Sequence, residues 1–281
     1  MFTRIHHISI AVRSLEQALP FYRDALGLRE RTRAAVPDQG VRAALLSMRD
    51  SEVELLEPAD PNGGVARYLE RRGEGLHHLC LETQDVTAAL AHVKAVDLPL
   101  IDQSSRPGLA GMIAFLHPKA SHGILIEFAQ LLAPPAYAEP PGAGIRVQGL
   151  GTVYAAVKDL EAAATSHARN FHGCLGPVQD NLLFGAKQVV VSIGRSQITL
   201  LSPVDRKSPV GCFLDDRGEG LFGVCLRVMD LETALLHLEA TGIFTEVDRR
   251  NTTTRLARLD PGRTNGVNLF LCADAPSLSD V

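Results

Sequence analysis

The feature that most restricts this chain is that it repeats itself. Ala11-Val12-Arg13-Ser14-Leu15-Glu16-Gln17-Ala18 recurs as Ala156-Val157-Lys158-Asp159-Leu160-Glu161-Ala162-Ala163, five of eight positions being identical at a spacing of 145 residues. The same spacing carries SEVELLEP, from Ser51, onto SQITLLSP, from Ser196. It also carries GEGLHHLCLETQDV, from Gly73, onto GEGLFGVCLRVMDL, from Gly218. Three separate stretches in one register mark two copies of one domain, so the fold must be one that a chain of 281 residues can build twice.

The first copy occupies 1–131 and the second 147–281, with 132–146 as a linker between them. That linker contains Ala133-Pro134-Pro135-Ala136-Tyr137-Ala138-Glu139-Pro140-Pro141-Gly142, and proline has no N–H to give to a sheet, which suits an extended connection. Lys and Arg number 28 against 32 Asp and Glu, a net charge of −4, and nothing there suggests a nucleic-acid partner, which would favour a basic face. No apolar run approaches the roughly 18 residues of a membrane span. The opening MFTRIHHISIAV lacks the apolar core of a signal peptide, so a cytoplasmic location is expected. Cys80, Cys174, Cys212, Cys225 and Cys272 are odd in number and contain no CxxC pair, which predicts buried free thiols in a reducing compartment. There is no GxxxxGK[ST] phosphate loop and no GxSxG nucleophile elbow.

Within each copy the pattern is a strand, a helix, then further strands, and that order itself recurs. Ile5 to Val12 is an Ile- and Val-rich strand; Ser14 then caps a helix, with Gln17 placed for a capping box, and Gly27 ends it. Val41 to Met48 and Glu52 to Glu57 read as strands. Leu76 to Glu82 restarts the series, followed by an Asp85-capped helix to Val96 and strands near Met112 to Leu116 and Gly123 to Ala129. The expected architecture is α+β, each domain made of two βαβββ units. Asp215-Asp216-Arg217 reads as a solvated turn.

This arrangement predicts which side chains meet. His7 and His78 lie on the first strands of the two units of the first copy, and Glu54 and Glu127 on their last strands. A local two-fold axis relating the units would bring all four to one cleft. Two imidazoles and two carboxylates suit one divalent ion: Zn, Co, Ni, Mn or Fe(II). The second copy serves as a control. His7 becomes Thr152, Glu54 becomes Thr199, His78 becomes Gly223 and, after a two-residue contraction, Glu127 becomes Phe270. Residues lost as a set are expected to have served as a set, and a leftover carboxylate in an apolar cleft is costly. One metal per chain is therefore expected, in the first domain, with the second left as scaffold, packing partner or regulatory pocket. His6 and His77 adjoin the ligands but are expected on the opposite strand faces, in structural roles.

Residues 5–130 resemble the methylmalonyl-CoA epimerases of the vicinal oxygen chelate superfamily, the glyoxalase/bleomycin-resistance/dioxygenase group. The stretches carrying the likeness are Ile5 to Val12, Phe21 to Leu28, Val53 to Pro58, Gly73 to His78, and Phe115 to Lys119 with Gly123 to Glu127. The resemblance implies two tandem vicinal-oxygen-chelate domains, each a cupped mixed sheet, the second half sharing the fold without the site. It implies the same ligands, His7, Glu54, His78 and Glu127, with Glu127 also catalytic. It further implies an acyl-CoA substrate, whose phosphate or carboxylate Lys119, Arg106 or His122 can meet.

One position departs from the pattern: where some of these epimerases carry a glutamate on the strand after a Gln-Gly-Val turn, this chain has Ala43 after Gln39-Gly40-Val41. Epimerisation ordinarily takes two proton-handling groups, and Glu52, Glu57 and His117 are the candidates for the second. The expected activity is a metal-dependent isomerase that enolises a 2-substituted acyl-CoA such as methylmalonyl-CoA. Alternatives are a glyoxalase I-type lactoylglutathione lyase, an extradiol dioxygenase, and a non-catalytic binding protein of the bleomycin-resistance type. The chain is expected as a monomer resembling a fused dimer, or as a homodimer.

Overall fold

The computed structural model describes residues 1–132, 145–243, 245–248 and 255–273. The Pro-rich stretch from Ala133 to Gly142 lies outside the described residues.

The first half begins with β1 (Phe2–Ala11), α1 (Leu15–Leu19) running on into a π-helical segment, β2 (Arg29–Val36), β3 (Val41–Ser47) and β4 (Glu52–Pro58). After α2 (Gly64–Arg72) come β5 (Gly75–Thr83), α3 (Val86–Ala95), β6 (Arg106–Gly108), β7 (Gly111–Leu116) and β8 (Ile126–Gln130). The eight strands form one curled mixed sheet in the order β2-β3-β4-β1-β5-β8-β7-β6. That order is two βαβββ units set side by side through their first strands. β1 is buried along almost its whole length, as a central strand covered on both faces must be, whereas the edge strand β2 alternates between exposed and half-buried residues.

The second half repeats the plan with β9 (Val147–Ala156), α4 (Leu160–Phe171), β10 (Cys174–Leu175), β11 (Gln179–Asn181), β12 (Ala186–Ile193) and β13 (Ser196–Pro203). It continues with α5 (Pro209–Arg217), β14 (Gly220–Val228), α6 (Leu231–Ala240), β15 (Thr245–Asp248), β16 (Leu256–Leu259) and β17 (Leu269–Cys272). Its sheet runs β10-β12-β13-β9-β14-β17-β16-β15, with β11 pairing β12. The strand ladders support the shifted register read from the sequence. Cys80 pairs with Glu127 in the parallel β5–β8 ladder, and its counterpart Cys225 pairs with Phe270 in β14–β17.

Two compact units make up the molecule, and each takes segments from both halves of the repeat. One comprises Met1–Ser9, Leu76–Ala136 and Thr152–Phe222; the other comprises Ile10–Gly75, Tyr137–Gly151 and Gly223–Val281. In the first, the Ile5 amide donates to Ser196 Oγ at 2.9 Å, and the Phe2 ring packs against Phe128 and Phe171. In the second, the buried Tyr22 hydroxyl donates to the Thr264 carbonyl at 2.9 Å.

Each unit contains, within itself, a contact that explains why GEG survives in both copies. Gly73 and Gly218 end α2 and α5 at φ of 70° and 72°, where a side chain would be strained. Glu74 and Glu219 then accept the backbone N–H of Arg13 and Lys158, at 2.6 and 2.8 Å. Their own carbonyls lie so close to Gly266 and Gly123 respectively that a Cβ there would stand 2.4 and 2.1 Å from the oxygen. These motifs persist because they build the scaffold.

Three local readings are corrected. Ser14 sits at the N-cap of α1 but makes no side-chain cap; the Glu57 carboxylate takes the Leu15 N–H instead, at 3.0 Å. Asp215-Asp216-Arg217 is the last turn of α5, with Asp215 paired to Arg206, and not a turn between elements. All five cysteines are free, but Cys174 and Cys212 are exposed because they fall on the edge strand β10 and on the outer side of α5. Among the described residues no helix is long and apolar enough to cross a membrane.

Candidate metal centre

His7, His78 and Glu127 come from three neighbouring strands, β1, β5 and β8, whose inward positions alternate with core residues. All three are enclosed, at 1%, 2% and 5% exposure. His7 Nε2 lies 3.2 Å from Glu127 Oε2, and His78 Nε2 lies 3.7 Å from the same oxygen. Yet that oxygen is buried and makes no hydrogen bond of acceptable geometry. Both imidazole nitrogens therefore face the same buried carboxylate oxygen. An uncompensated buried carboxylate oxygen is expensive, and a divalent cation among these donors would compensate it. Burial disfavours the charged form of Glu127, but the two imidazoles outweigh burial and hold its carboxyl below the usual carboxylate range. Glu54 is buried on β4, and one ligand atom from each of His7, Glu54 and His78 falls within a 4.8 Å set. Imidazole and carboxylate donors of this kind suit a metal of the borderline class.

A second close set joins His6, His7 and the thiol of Cys80. Burial pushes that thiol well above its ordinary pKa, so it stays protonated. Its counterpart Cys225 is retained and buried in the copy that has lost every ligand, which marks Cys80 as a core residue.

Around these donors the floor is apolar, with Cys80, Ile113, Phe115 and Ala129 forming one packed cluster. Phe115 meets the His78 ring edge-on at 5.2 Å, and the Arg106 guanidinium lies over the other side of the cluster, 5.7 Å from the Phe115 centroid. Arg106 is half-buried beside Asp102, and its Nη1 is buried without a hydrogen-bond partner among the described residues. Lys119 is exposed on the short turn Pro118–Ala120, and His122 faces Glu219 at 3.6 Å.

The candidates for a second proton-handling group are engaged elsewhere. Glu52 is bonded through both oxygens to Arg31, at 2.5 and 3.0 Å. Glu57 serves α1 and pairs with Arg42. His117 Nδ1 accepts the Lys119 N–H. Ala43 is fully buried on β3 and offers only a methyl group. His6 and His77 are the residues that the strand-face reading misplaced: both rings turn back to meet the histidine that follows, His6 to His7 at 2.8 Å and His77 to His78 at 3.0 Å between Nδ1 atoms.

In the second half, Thr152 and Thr199 bond hydroxyl to hydroxyl at 2.8 Å. At Gly223 a Cβ would stand 2.7 Å from the Asn268 carbonyl and 3.2 Å from the Phe270 ring. Phe270 occupies the register position of Glu127 and packs over the place of His78.

Comparison with known proteins finds relatives that match the first half of the chain. Residues 6–115 match the model of the Glyoxalase/Bleomycin resistance protein/Dioxygenase superfamily. The ethylmalonyl-CoA/methylmalonyl-CoA epimerase of Cereibacter sphaeroides is 33% identical over 134 residues, which are 47% of this chain and 100% of that protein. The chain belongs to the glyoxalase/bleomycin resistance/dioxygenase superfamily. Mouse mitochondrial methylmalonyl-CoA epimerase is 31% identical over 129 residues, covering 45% of this chain and 72% of that protein. Over its whole length the chain shares the superfamily fold with a 4-hydroxymandelate synthase variant from Streptomyces coelicolor. The TM-score is 0.74 at 18% identity, covering 97% of this chain and 92% of that one.

Proposed function

We propose that this chain is a metal-dependent isomerase that enolises a 2-substituted acyl-CoA, with methylmalonyl-CoA the first substrate to try. The observation that carries the reading is the buried Glu127 oxygen facing the Nε2 atoms of His7 and His78 without a hydrogen bond. The epimerase names of the relatives matching this half point to the acyl-CoA. His7, Glu54, His78 and Glu127 would hold one divalent ion, and such an ion would supply Lewis-acid stabilisation of developing negative charge. Glu127 takes the proton from the alpha carbon. Arg106, with an unsatisfied N–H and its plane over Phe115, orients an anionic group of the substrate. The apolar floor receives the alkyl substituent.

The test is NMR of methylmalonyl-CoA in D2O with Co(II)-loaded protein. Enzyme-dependent deuteration at the alpha carbon, abolished by a chelator and lowered by Glu127→Gln about 100-fold or more, is the expected result. Full retention of metal by His78→Ala would remove the ligand assignment. A bound ion without any exchange would retire the substrate and leave the glyoxalase and dioxygenase assays as the next step.

A further inference from the structure

Each compact unit contains the same turn, 118–124 in one and 261–267 in the other. The Gly123 and Ile124 N–H groups bond to the carbonyls of Pro118 and Ser121, at 2.9 and 3.1 Å. Those of Gly266 and Val267 bond to Pro261 and Thr264, at 2.9 and 3.2 Å. Ser121 and Thr264 each donate a hydroxyl to the carbonyl three residues on, at 2.6 Å. The next residue is left-handed in both, His122 at φ 49° and Asn265 at 52°. The backbone frame is the same, but the side chains that close it differ.

At the 261–267 turn the closing groups are neutral. Tyr22 donates its hydroxyl to the Thr264 carbonyl at 2.9 Å, and Asn265 Nδ2 donates to Glu74 at 3.1 Å. At the 118–124 turn the counterpart of Tyr22 is His167 and that of Asn265 is His122. His122 faces Glu219 at 3.6 Å, and its ring lies 5.8 Å from the His167 ring. His167 is fully enclosed, with Phe171 against it at 5.6 Å. Its Nδ1–H donates to the Ala163 carbonyl at 2.8 Å, which leaves the lone pair on Nε2. That nitrogen is buried without a partner among the described residues.

A proton arriving at Nε2 therefore creates a charge that is enclosed, unpaired and beside a second imidazole. Glu219 is the carboxylate that acts on the ring, and it already takes the Lys158 N–H at 2.8 Å and faces His122. The other elements packed on α4 bring no relief. No charged residue lies on β13; Lys187 on β12 pairs with Asp180, Arg4 on β1 pairs with Glu82, and Cys174 on β10 is exposed. On α4 itself Glu161 is exposed and Arg169 bonds to Asn170, while His92 and His172 stack on each other at its end.

We infer that His122 and His167 make the 118–124 turn an acid-released latch, which lets go of α4 when this pair takes up a proton, while the matching turn closed by Tyr22 and Asn265 holds. The turn runs straight into β8, so the latch sets how firmly the start of the Glu127 strand is held. The inference stands on this corner alone and does not need the metal reading. In place, burial above all, with His122 adding to it, holds the His167 pKa down to about 4. Released into water, the ring titrates near the ordinary value of about 6.5. Opening is therefore least favourable above about pH 6.5 and grows easier as the pH falls toward about 4. From pH 7.5 to pH 5.0 the uptake of one proton raises the opening equilibrium about 30-fold.

Amide hydrogen exchange of the full chain, corrected for the intrinsic rate at each pH, reads this opening. Protection at Ser121, Gly123 and Ile124 is expected to fall about 30-fold over that range, with Thr264, Gly266 and Val267 unchanged. The double variant His122→Asn with His167→Tyr copies the other unit and should lose the response. Should the tyrosine prevent folding, His122→Asn alone serves, because asparagine tolerates the left-handed backbone, as Asn265 shows. With the neighbouring imidazole gone, NMR should show the His167 ring titrating at higher pH than in the wild type. An equal loss of protection in both turns overturns the inference. So does an acid response that persists in the double variant, or a His167 titration that His122→Asn leaves unmoved.

Discussion

On α4 the His167 ring is fully enclosed, donates its Nδ1–H to the Ala163 carbonyl at 2.8 Å, and has no partner at Nε2 among the described residues. Burial drives its pKa down to about 4, with His122 pushing the same way and the Ala163 bond and Glu219 only partly opposing. A folded pKa below the ordinary value of about 6.5 means that the unfolded chain takes up the proton first. His167 therefore contributes stability fully above about pH 6.5, and that contribution falls as the pH drops toward about 4. Denaturant titrations at neutral and mildly acidic pH should show the wild type losing about 2–3 kcal/mol more than His167→Asn across this window. At the same scale, the four candidate ligands are legible in the sequence because each has a chemical type, a strand position and a counterpart lost in the other copy. His6 and His77 are not, because alternation along a strand fixes where Cβ points and leaves open how far a ring can bend back.

The first helix of each half begins with a carboxylate at its N-terminus, supplied by different residues. In α1 the donor at Leu15 is satisfied by Glu57 from β4, while Ser14 makes no side-chain cap. In α4 the cap is Asp159, which accepts from Ala162 N, and the counterpart of Glu57 is Ser202, donating to the Lys158 carbonyl. The negative charge has moved from the strand to the cap position, where it meets the same helix end. Glu57→Ala should cost about 1 kcal/mol in urea unfolding, and Ser14→Asp added to it should recover most of the loss. Capping by Asp85 is read correctly from the sequence, since it accepts from the third residue of its helix, and Asp159 does the same in α4. What escapes the sequence is β2, α2 and β6. RERTRAAV in β2 is too charged to look like a strand and lies at the sheet edge, where such charge discourages further pairing. In α2 the buried contribution is only Val65 and Leu69, and β6 is three residues long, so neither leaves a clear period.

At the scale of the molecule, the repeat predicts two sheets of matching order, and both are present. How the motifs group into compact units is not legible, because those contacts join residues with no periodic signature. Gly123 against the Glu219 carbonyl and Gly266 against the Glu74 carbonyl are the same contact made once in each unit. Both glycines also have positive φ, 81° and 72°. Gly123→Ala and Gly266→Ala should each destabilise by more than about 1 kcal/mol. Having no shared partner, they should be nearly additive in the double variant, as equilibrium unfolding would show. Duplication also bears on how the chain would respond to metal. Twin sites in one polypeptide invite cross-talk, the first ion altering the grip on the second. With the Phe270 ring seated over Gly223, the second copy shows no counterpart among its described residues with which to converse. Saturation of the proposed centre then follows a simple hyperbola, and any cooperativity found in solution must arise between chains and not within one.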